Sequence, residues 1–288
     1  FLSIADNPGS LSANTSIATV KGWIVDGGPT KIFSGTSRPN IESFRNGHTG
    51  TGVVFSTYGT NSIYVENFDD ILELDLTAQN IEGELYLGSS NMTSINIQDT
   101  AVTYLECFES DDLETVNVNG CSELVEFISS SNPSLEELDF TDCSSLEVIT
   151  IHESSSLETV TFPTDNNLVN IQANNTAIDH AITLTNVDTL DIVNFSNTSI
   201  PSLSITGCEI LGQVNAHHCA SLSTINLSSN PNLTTIYINN CNFSNTTLNT
   251  LFGQLPTLSG HIYIVGNPGT GTCTTSIATT KGWTVHTS

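Results

Sequence analysis

Four glutamates recur at one position of a short repeated phrase and could together bind a cation. Glu114, Glu136 and Glu158 are 22 residues apart, and Glu147 takes the same position in an intervening phrase. If the chain folds so that successive repeats stack at the ~4.8 Å spacing of β-strands, these glutamates lie next to one another. Adjacent carboxylates then repel by about 1 kcal/mol in a water-like dielectric. A divalent cation such as Ca²⁺ would relieve this repulsion, and so would salt or splayed side chains. The chain has no D-x-D-x-D-G loop, so a solvated acidic face without metal is the alternative.

The segment His217-His218-Cys219 contains the residue types of a metal site. Neighbouring side chains of an extended strand point to opposite faces, so we expect that these three cannot all reach one ion. The chain also has no G-x-S-x-G elbow, Gly-rich phosphate loop or H-E-x-x-H helix. We therefore predict no firm metal site, no cofactor other than a possible Ca²⁺, and no enzymatic activity.

These residues lie within a repeat of eleven residues. Leucine occurs at positions 113, 124, 135, 146, 157 and 168. Around it recurs a phrase such as Leu113-x-x-Val116-x-Val118-x-x-Cys121, whose positions 4 and 6 alternate like a half-buried strand. Position 9 holds Cys or Asn, where the chain must turn and satisfy its own backbone groups. One phrase cannot bury its apolar residues alone, so we predict a mainly β repeat solenoid with ~22-residue coils of two half-turns each.

The consensus Leu-x-x-Leu-x-Leu-x-x-Asn/Cys resembles the leucine-rich repeat. Its Asn, Ser and Thr residues, as in 222–233, resemble those of BspA-like, Bacteroidetes-type surface proteins. The resemblance covers roughly 63–288 and implies a leucine-rich-repeat-like solenoid on the cell surface or outside the cell. Two tripeptides, Asp99-Thr100-Ala101 and Asp188-Thr189-Leu190, are similar to an O-glycosylation acceptor of some bacteria with such repeats, which makes Thr100 and Thr189 glycosylation candidates.

The two ends of the chain carry a duplicated motif. The residues Asn7-Pro8-Gly9 and 16–25 reappear at a constant offset of 260. Their ending, A-x-x-K-G-W-x-V, is similar to the ends of bacterial leucine-rich arrays. We expect a cap motif or the tail of a preceding unit over 1–25, a connector and N-terminal cap over 26–62, and the solenoid over 63–242. Because the chain opens inside this motif, we expect a longer tandem array, although one protein could use the motif twice.

We predict a C-terminal cap over 243–288. Its expected elements are a helix over Asn245–Leu255, a strand over His261–Val265, a short helix that ends at Gly282, and a final strand with Trp283. Such atypical terminal units cover the exposed end of a solenoid core.

Charge and cysteine placement restrict the function. The chain has 30 acidic and 5 basic residues, with no Lys or Arg from 46 to 280, so it would repel nucleic acid and anionic lipid. No apolar run approaches the ~18 residues of a membrane span. Most cysteines occupy position 9, where a thiol packs as a small buried group, although Cys121 and Cys143, or Cys219 and Cys241, lie one coil apart and within disulfide reach.

Two functions agree with these observations. The first is a non-catalytic extracellular module of a cell-surface or secreted adhesin, which binds a protein or glycan through its solenoid surface. The second is a structural subunit of an extracellular filament or phage fibre, whose ends stack on further copies of itself.

Overall fold

The protein is a parallel β-solenoid of about nine turns with a repeat of ~22 residues. The structure is a computed structural model that describes residues 73–77, 82–87, 91–164 and 167–288, together with the backbone of four short strands nearer the N-terminus. The predicted coil of two half-turns is confirmed, because paired residues such as Glu126 and Val148 are 22 positions apart.

Each half-turn contributes one short strand centred on the apolar residue at phrase position 4. In chain order the strands are β1 (Leu2–Ser3), β2 (Val25–Asp26), β3 (Ser56–Thr57), β4 (Ser62–Val65), β5 (Glu73–Asp75), β6 (Glu82–Leu87), β7 (Ser94–Asn96), β8 (Ala101–Cys107), β9 (Thr115–Asn117), β10 (Glu126–Ile128), β11 (Glu137–Asp139), β12 (Val148–Thr150), β13 (Thr159–Thr161), β14 (Asn170–Gln172), β15 (Ile182–Thr185), β16 (Ile192–Asn194), β17 (Ser202–Thr206), β18 (Gln213–Asn215), β19 (Thr224–Asn226), β20 (Thr235–Tyr237), β21 (Gly260–Tyr263) and β22 (Trp283–His286). Within the described residues only two helices occur, α1 (Asn245–Gln254) and α2 (Ser276–Thr279).

Alternate half-turns form opposite walls of the solenoid. One wall, which we call the long sheet, has twelve strands within the described part of the chain, in the order β22-β21-β20-β18-β16-β14-β12-β10-β8-β6-β4-β3. The other wall consists of two shorter sheets, β13-β11-β9-β7-β5 and β15-β17-β19. All pairings in these sheets are parallel except that of β3 with β4.

The core runs along the axis between the two walls. Leu135, Leu138, Leu146, Ile149 and Leu157 are each at most 1 % exposed, and they belong to one continuous core. They occupy phrase positions 1 and 4, so each coil adds the same apolar layer to the stack. Burial of these layers supplies the main stabilising free energy.

Position 9 forms a second, polar ladder inside the turns. The side chain of Asn132 donates to the carbonyl oxygen of Cys107, 3.0 Å away in the preceding coil, and accepts from the amide of Ser110 at 2.9 Å. Thr176 also occupies position 9, and Cys219 and Cys241 occupy it two and three coils further along the chain. Their thiols donate to the carbonyls of Phe195 and Ala216 in the preceding coils. The residue before position 9 usually has a positive φ, as in Asp99, Ser131, Glu153, Asn175 and His218.

The shorter wall is interrupted after β13, where Pro163 is buried. The amide of Val160 instead donates to Nε2 of His180 at 3.2 Å. Pairing resumes at β15, where Ile182 lies opposite Leu203.

The C-terminal region has the four elements that the sequence predicts there. Helix α1 begins at the N-cap Ser244, whose hydroxyl accepts from the amide of Thr247, and it packs against β19 in the place of a further strand. The ammonium of Lys281 donates to the carbonyls of Gly253 and Leu255 at 2.6 and 2.8 Å. A cation at this end of a helix satisfies its last carbonyls and the negative end of its dipole.

The Lys-Gly-Trp sequence of the duplicated motif thus has a structural explanation in its C-terminal copy. Gly282 has φ +98°, and a Cβ atom there would lie 2.7 Å from the carbonyl oxygen of Leu258. Trp283 is 2 % exposed and its indole donates to the carbonyl of Pro256 at 2.9 Å. Lysine, glycine and tryptophan together attach the last strand to the helix.

The duplicated motif forms the same strand pair at both ends. Leu2 lies opposite Val25 in β1 and β2, and Ile262 lies opposite Val285 in β21 and β22. The two registers are related by the sequence offset of 260. Leu2–Ser3 therefore occupies the place that Ile262–Tyr263 has in the C-terminal copy.

Candidate binding surface

The outward face of the long sheet is the largest regular surface that the described strands form. Side chains at phrase positions 3 and 5 point outward on each strand, on either side of a buried residue, as Gln213 and Asn215 do around Val214. Parallel register aligns these positions into two columns that follow the solenoid axis. We call this surface the long-sheet face.

The C-terminal part of the long-sheet face carries a stack of aromatic rings. The rings of Tyr237 and Tyr263 are stacked with centroids 4.7 Å apart, and Tyr263 and His286 are stacked at 4.1 Å with an angle of 5° between their planes. His261 lies beside them in the other column, and its Nδ1 is 3.2 Å from Nε2 of His286. We call Tyr237, Tyr263, His261 and His286 the aromatic–histidine cluster. Tyr263 has a stacked ring on each of its faces, so it presents its edge and its hydroxyl group to a ligand.

Side-chain amides occupy the middle of the same face. Asn194 donates through Nδ2 to Oε1 of Gln172 at 3.1 Å and to Oδ1 of Asn174 at 3.0 Å, and Gln172 donates to Oδ1 of Asn170 at 2.7 Å. The Oδ1 atom of Asn215 is buried and has no hydrogen-bond partner among the described residues. These hydrogen bonds hold the amides of Gln172 and Asn194 in fixed orientations, and Asn215 lies between them and the aromatic–histidine cluster.

The N-terminal part of the face has tyrosines next to carboxylates. The rings of Tyr86 and Tyr104 are 4.8 Å apart, and their hydroxyls donate to Glu84 and Glu106 respectively. Burial, and then the hydrogen bond to Glu106, raise the pKa of Tyr104 far above its ordinary value. This part of the face is therefore acidic, in contrast to the uncharged C-terminal part.

The four glutamates predicted as a cation site are divided between the two walls. Glu114, Glu136 and Glu158 are exposed and immediately precede β9, β11 and β13, neighbouring strands of the shorter wall. Glu147 is exposed before β12 and therefore belongs to the long sheet. Within the described residues no group of three or more His, Cys, Asp or Glu side chains is arranged to hold a metal ion. Cation sharing by the three glutamates of the shorter wall stays a hypothesis.

His217 and His218 lie closer together than strand alternation predicts. His218 has φ +58°, and this left-handed turn brings its Nδ1 to 2.6 Å from Nδ1 of His217. Asn240 lies 3.0 Å from the other ring nitrogen of His218. Burial, followed by the charge of His218, lowers the pKa of His217. Cys219 is buried and its thiol donates inward to Phe195, so the expectation that all three cannot reach one ion holds.

The two glycosylation candidates lie in different environments. Thr100 is 5 % exposed, and its hydroxyl donates to the carbonyl of Ile97 at 2.7 Å, so the folded solenoid hides it from an enzyme. Thr189 is exposed and donates to the carbonyl of Leu168 at 2.9 Å. The repeat phrase predicts the low exposure of Thr100, because this residue occupies the buried position 9.

All seven cysteines are free thiols in the structure. Burial raises the pKa of Cys107 to about 12 and, with nearby negative charges, that of Cys143 to about 12. These two thiols are held protonated and are therefore poor nucleophiles and poor metal ligands, whereas the hydrogen bond with Cys241 lowers the pKa of Cys219. Cys273 is the one that is half-buried rather than buried, so the cysteines serve mainly as core groups.

The aromatic–histidine cluster is the feature that sequence reasoning missed. Tyr237 stands at phrase position 5, between Ile236 and Ile238, where the phrase itself predicts an outward side chain. The 26-residue step from Thr235 to His261 departs from the regular repeat, so spacing alone does not align Tyr263 with Tyr237.

Comparison with known proteins adds no family. No protein-family model matches the chain, and no curated protein matches it. Neither helix of the described residues has the length and apolar character that crossing a membrane requires.

Proposed function

We propose that the protein is a non-catalytic extracellular module of a cell-surface or secreted adhesin, and that its long-sheet face binds a protein or glycan. The aromatic–histidine cluster, next to the fixed amides, is the observation that supports this role most strongly. The proposal includes membership of the BspA-like leucine-rich-repeat group, on the resemblance of the repeat phrase.

The chemistry of the cluster suits recognition. Tyrosine combines a large contact area with few rotatable bonds, so it loses little entropy when a partner binds. Stacking fixes the rings of Tyr237 and Tyr263 before any ligand arrives, which lowers the cost of binding further. The Asn, Gln and Tyr side chains offer both donors and acceptors.

The orientation of the rings favours a protein over a glycan. A sugar that stacks on an aromatic side chain needs a free ring face, and the faces of Tyr263 are covered by Tyr237 and His286. The exposed edges and hydroxyls instead form a flat, regular strip. Such a strip fits the side chains of a protein ligand, while glycan binding would depend on hydrogen bonds alone.

The test is a binding comparison with matched variants on the two walls. Tyr237→Ser and Tyr263→Ser, alone and combined, should abolish binding of the fluorescently labelled protein to target-cell surfaces and to an array of surface proteins and glycans. Thr159→Ser and Thr183→Ser change exposed strand positions of the shorter wall and should leave binding unchanged. Equal binding by all variants would contradict the proposal.

The second candidate, a subunit that stacks end to end, is supported by the outermost position of β22 in the long sheet. An outer strand has backbone groups on one side that can pair with a strand of another copy. Analytical ultracentrifugation across a concentration series tests it. Concentration-dependent growth that Val285→Pro removes would favour stacking, and a monomer at all concentrations would exclude it.

A further inference from the structure

The two histidines of the aromatic–histidine cluster form a separate chemical feature at the end of the long sheet. His261 belongs to β21 and His286 to β22, and the register places His286 opposite Tyr263, diagonally across from His261. Nδ1 of His261 and Nε2 of His286 are 3.2 Å apart, and the ring centroids are 5.5 Å apart. The sheet, rather than chain proximity, therefore fixes this distance.

The distance suits two ligands of one metal ion. With Zn–N bonds of about 2.0–2.1 Å, two imidazole nitrogens on one ion lie about 2.9–3.4 Å apart for bond angles from about 90° to tetrahedral. The His261–His286 distance of 3.2 Å falls within this range. The His217–His218 distance of 2.6 Å falls below it, and that pair is better suited to sharing a proton.

Tyr263 orients the pair. Its ring lies parallel to that of His286 at 4.1 Å, so His286 keeps its imidazole upright on the sheet with Nε2 directed at His261. His261 is exposed and His286 is half-buried, so an ion can reach both nitrogens from solvent. Water molecules can complete the coordination.

The duplicated motif provides an internal comparison. At the offset of 260, the N-terminal copy has Phe1 and Asp26 in the places of His261 and His286, yet β1 and β2 pair in the register of β21 and β22. The strand pairing of the motif therefore does not require the two histidines. Their presence at the C-terminal end calls for a separate explanation.

We propose that His261 and His286 bind a borderline divalent transition-metal ion, such as Zn²⁺, Cu²⁺ or Ni²⁺, and thereby fasten β22 to β21. Neutral imidazole is the ligand that these ions share, whereas Ca²⁺ and Mg²⁺ prefer oxygen. Because the site exists only when β22 is docked, the ion stabilises that docking by linkage. This inference is independent of the proposed ligand-binding role.

The experiment is a calorimetric titration of the whole protein with ZnCl₂ at about pH 7.5, where imidazole is largely neutral, in a background of excess MgCl₂. One equivalent of Zn²⁺ should bind. His261→Gln and His286→Gln should each weaken binding by at least about tenfold, since even outer-shell changes at metal sites cost that much. His217→Gln and His218→Gln are the matched controls and should bind as the parent protein does.

A second measurement distinguishes binding at this site from non-specific binding of Zn²⁺ elsewhere on the protein. Zn²⁺ should slow amide hydrogen exchange in β22 of the parent protein and leave it unchanged in His286→Gln. No Zn²⁺ binding, binding that survives both His261→Gln and His286→Gln, or binding lost in His217→Gln would each overturn the proposal. Binding without slower exchange in β22 would overturn the fastening of the strand.

Discussion

The acidic half of the solenoid and its C-terminal third share one architecture and differ in their surfaces. Residues 66–158 contain 22 of the 30 acidic residues, whereas 210–288 contain none and hold four of the seven histidines. Leu146 and Leu233 nevertheless occupy the same phrase position and are both fully buried. The inward positions of the phrase thus determine the fold, and the outward positions are free to differ along the axis.

This contrast suggests that the two regions have different functions. Carboxylates keep the first half solvated and repel other anionic surfaces. The C-terminal third, which has no carboxylate side chain, has tyrosines, amides and histidines on the same sheet, where a partner can approach with less desolvation of charge. The following predictions are ordered by the size of the effect, and each compares the two regions.

The core should be equally sensitive in both regions. Leu146→Ala and Leu233→Ala should each lower the free energy of unfolding by ~2–5 kcal/mol, because each leaves a cavity in a fully buried layer. Chemical denaturation followed by circular dichroism measures this loss. Glu147→Gln, on the exposed neighbour of Leu146, is the control and should change stability by less than about 0.5 kcal/mol. If Leu233→Ala left the free energy of unfolding unchanged, the C-terminal third would not be part of the same stack.

The turn ladder should matter next. Asn132→Ala and Asn230→Ala should each cost about 1–3 kcal/mol, because buried backbone groups lose their partners. The side chain of Asn132 forms hydrogen bonds with the backbone of Cys107 and Ser110, and that of Asn230 with the backbone of Ile205 and Cys208. Denaturation curves test this.

Cysteine is the matched control for the turn ladder. Asn132→Cys should be milder than Asn132→Ala, because Cys219 and Cys241 donate to equivalent carbonyls of a preceding coil. Equal losses for the two variants would mean that the hydrogen bonds of this ladder add little.

Salt should affect the acidic half alone. NaCl should relieve repulsion between exposed carboxylates, worth about 1 kcal/mol per close pair. Hydrogen exchange should therefore slow in coils over 91–158 and stay constant over 210–264. CaCl₂ at equal ionic strength should act no more strongly, since the described residues contain no metal-holding group of three. A larger Tm shift with Ca²⁺ than with Na⁺ would support cation sharing by Glu114, Glu136 and Glu158.

The smallest effect concerns the histidines of the C-terminal third. The pKa of His217 lies below its ordinary 6.5 because of burial and then the charge of His218. The unfolded state therefore binds this proton more readily, and His217 contributes stability that is fully present above about pH 6.5 and is lost as the pH falls from there through its lower folded-state pKa.

Removing the neighbouring charge tests the cause. His218→Asn should raise the pKa of His217 part of the way to its ordinary value, since the burial remains. Titration of the imidazole signals by NMR measures the change. An unchanged pKa of His217 would assign the whole shift to burial.

The sequence was sufficient to predict the stack but not the surface it presents. Phrase positions 1, 4 and 6 marked Leu135, Leu138 and Phe140 as inward, because burial in a solenoid repeats with the sequence period. The K-G-W motif likewise predicted the short helix that precedes Gly282 and the final strand with Trp283. Both signals are local and recur, so one chain shows them several times.

Features that depend on exceptions to the period could not be predicted. His218 turns left-handed, which defeats simple strand alternation and brings it against His217. The helix inserted between β20 and β21 lengthens one coil, and only the folded register shows that Tyr237 and Tyr263 then stack. The shorter wall is interrupted after β13, where the amide of Val160 donates to the side chain of His180, a contact that no repeat position predicts.

The central claim is that one continuous stack joins the acidic half to the C-terminal third. Spin labels at Glu126→Cys and Thr235→Cys, with Cys273→Ser to remove the half-buried thiol, test it by pulsed electron resonance. The register from Glu126 through Val148, Asn170, Ile192 and Gln213 to Thr235 spans five strand spacings, so the two backbone positions should lie about 24 Å apart. A single narrow distribution near that distance is the predicted result. A broad distribution, or one centred far from it, would show two units that do not share a sheet.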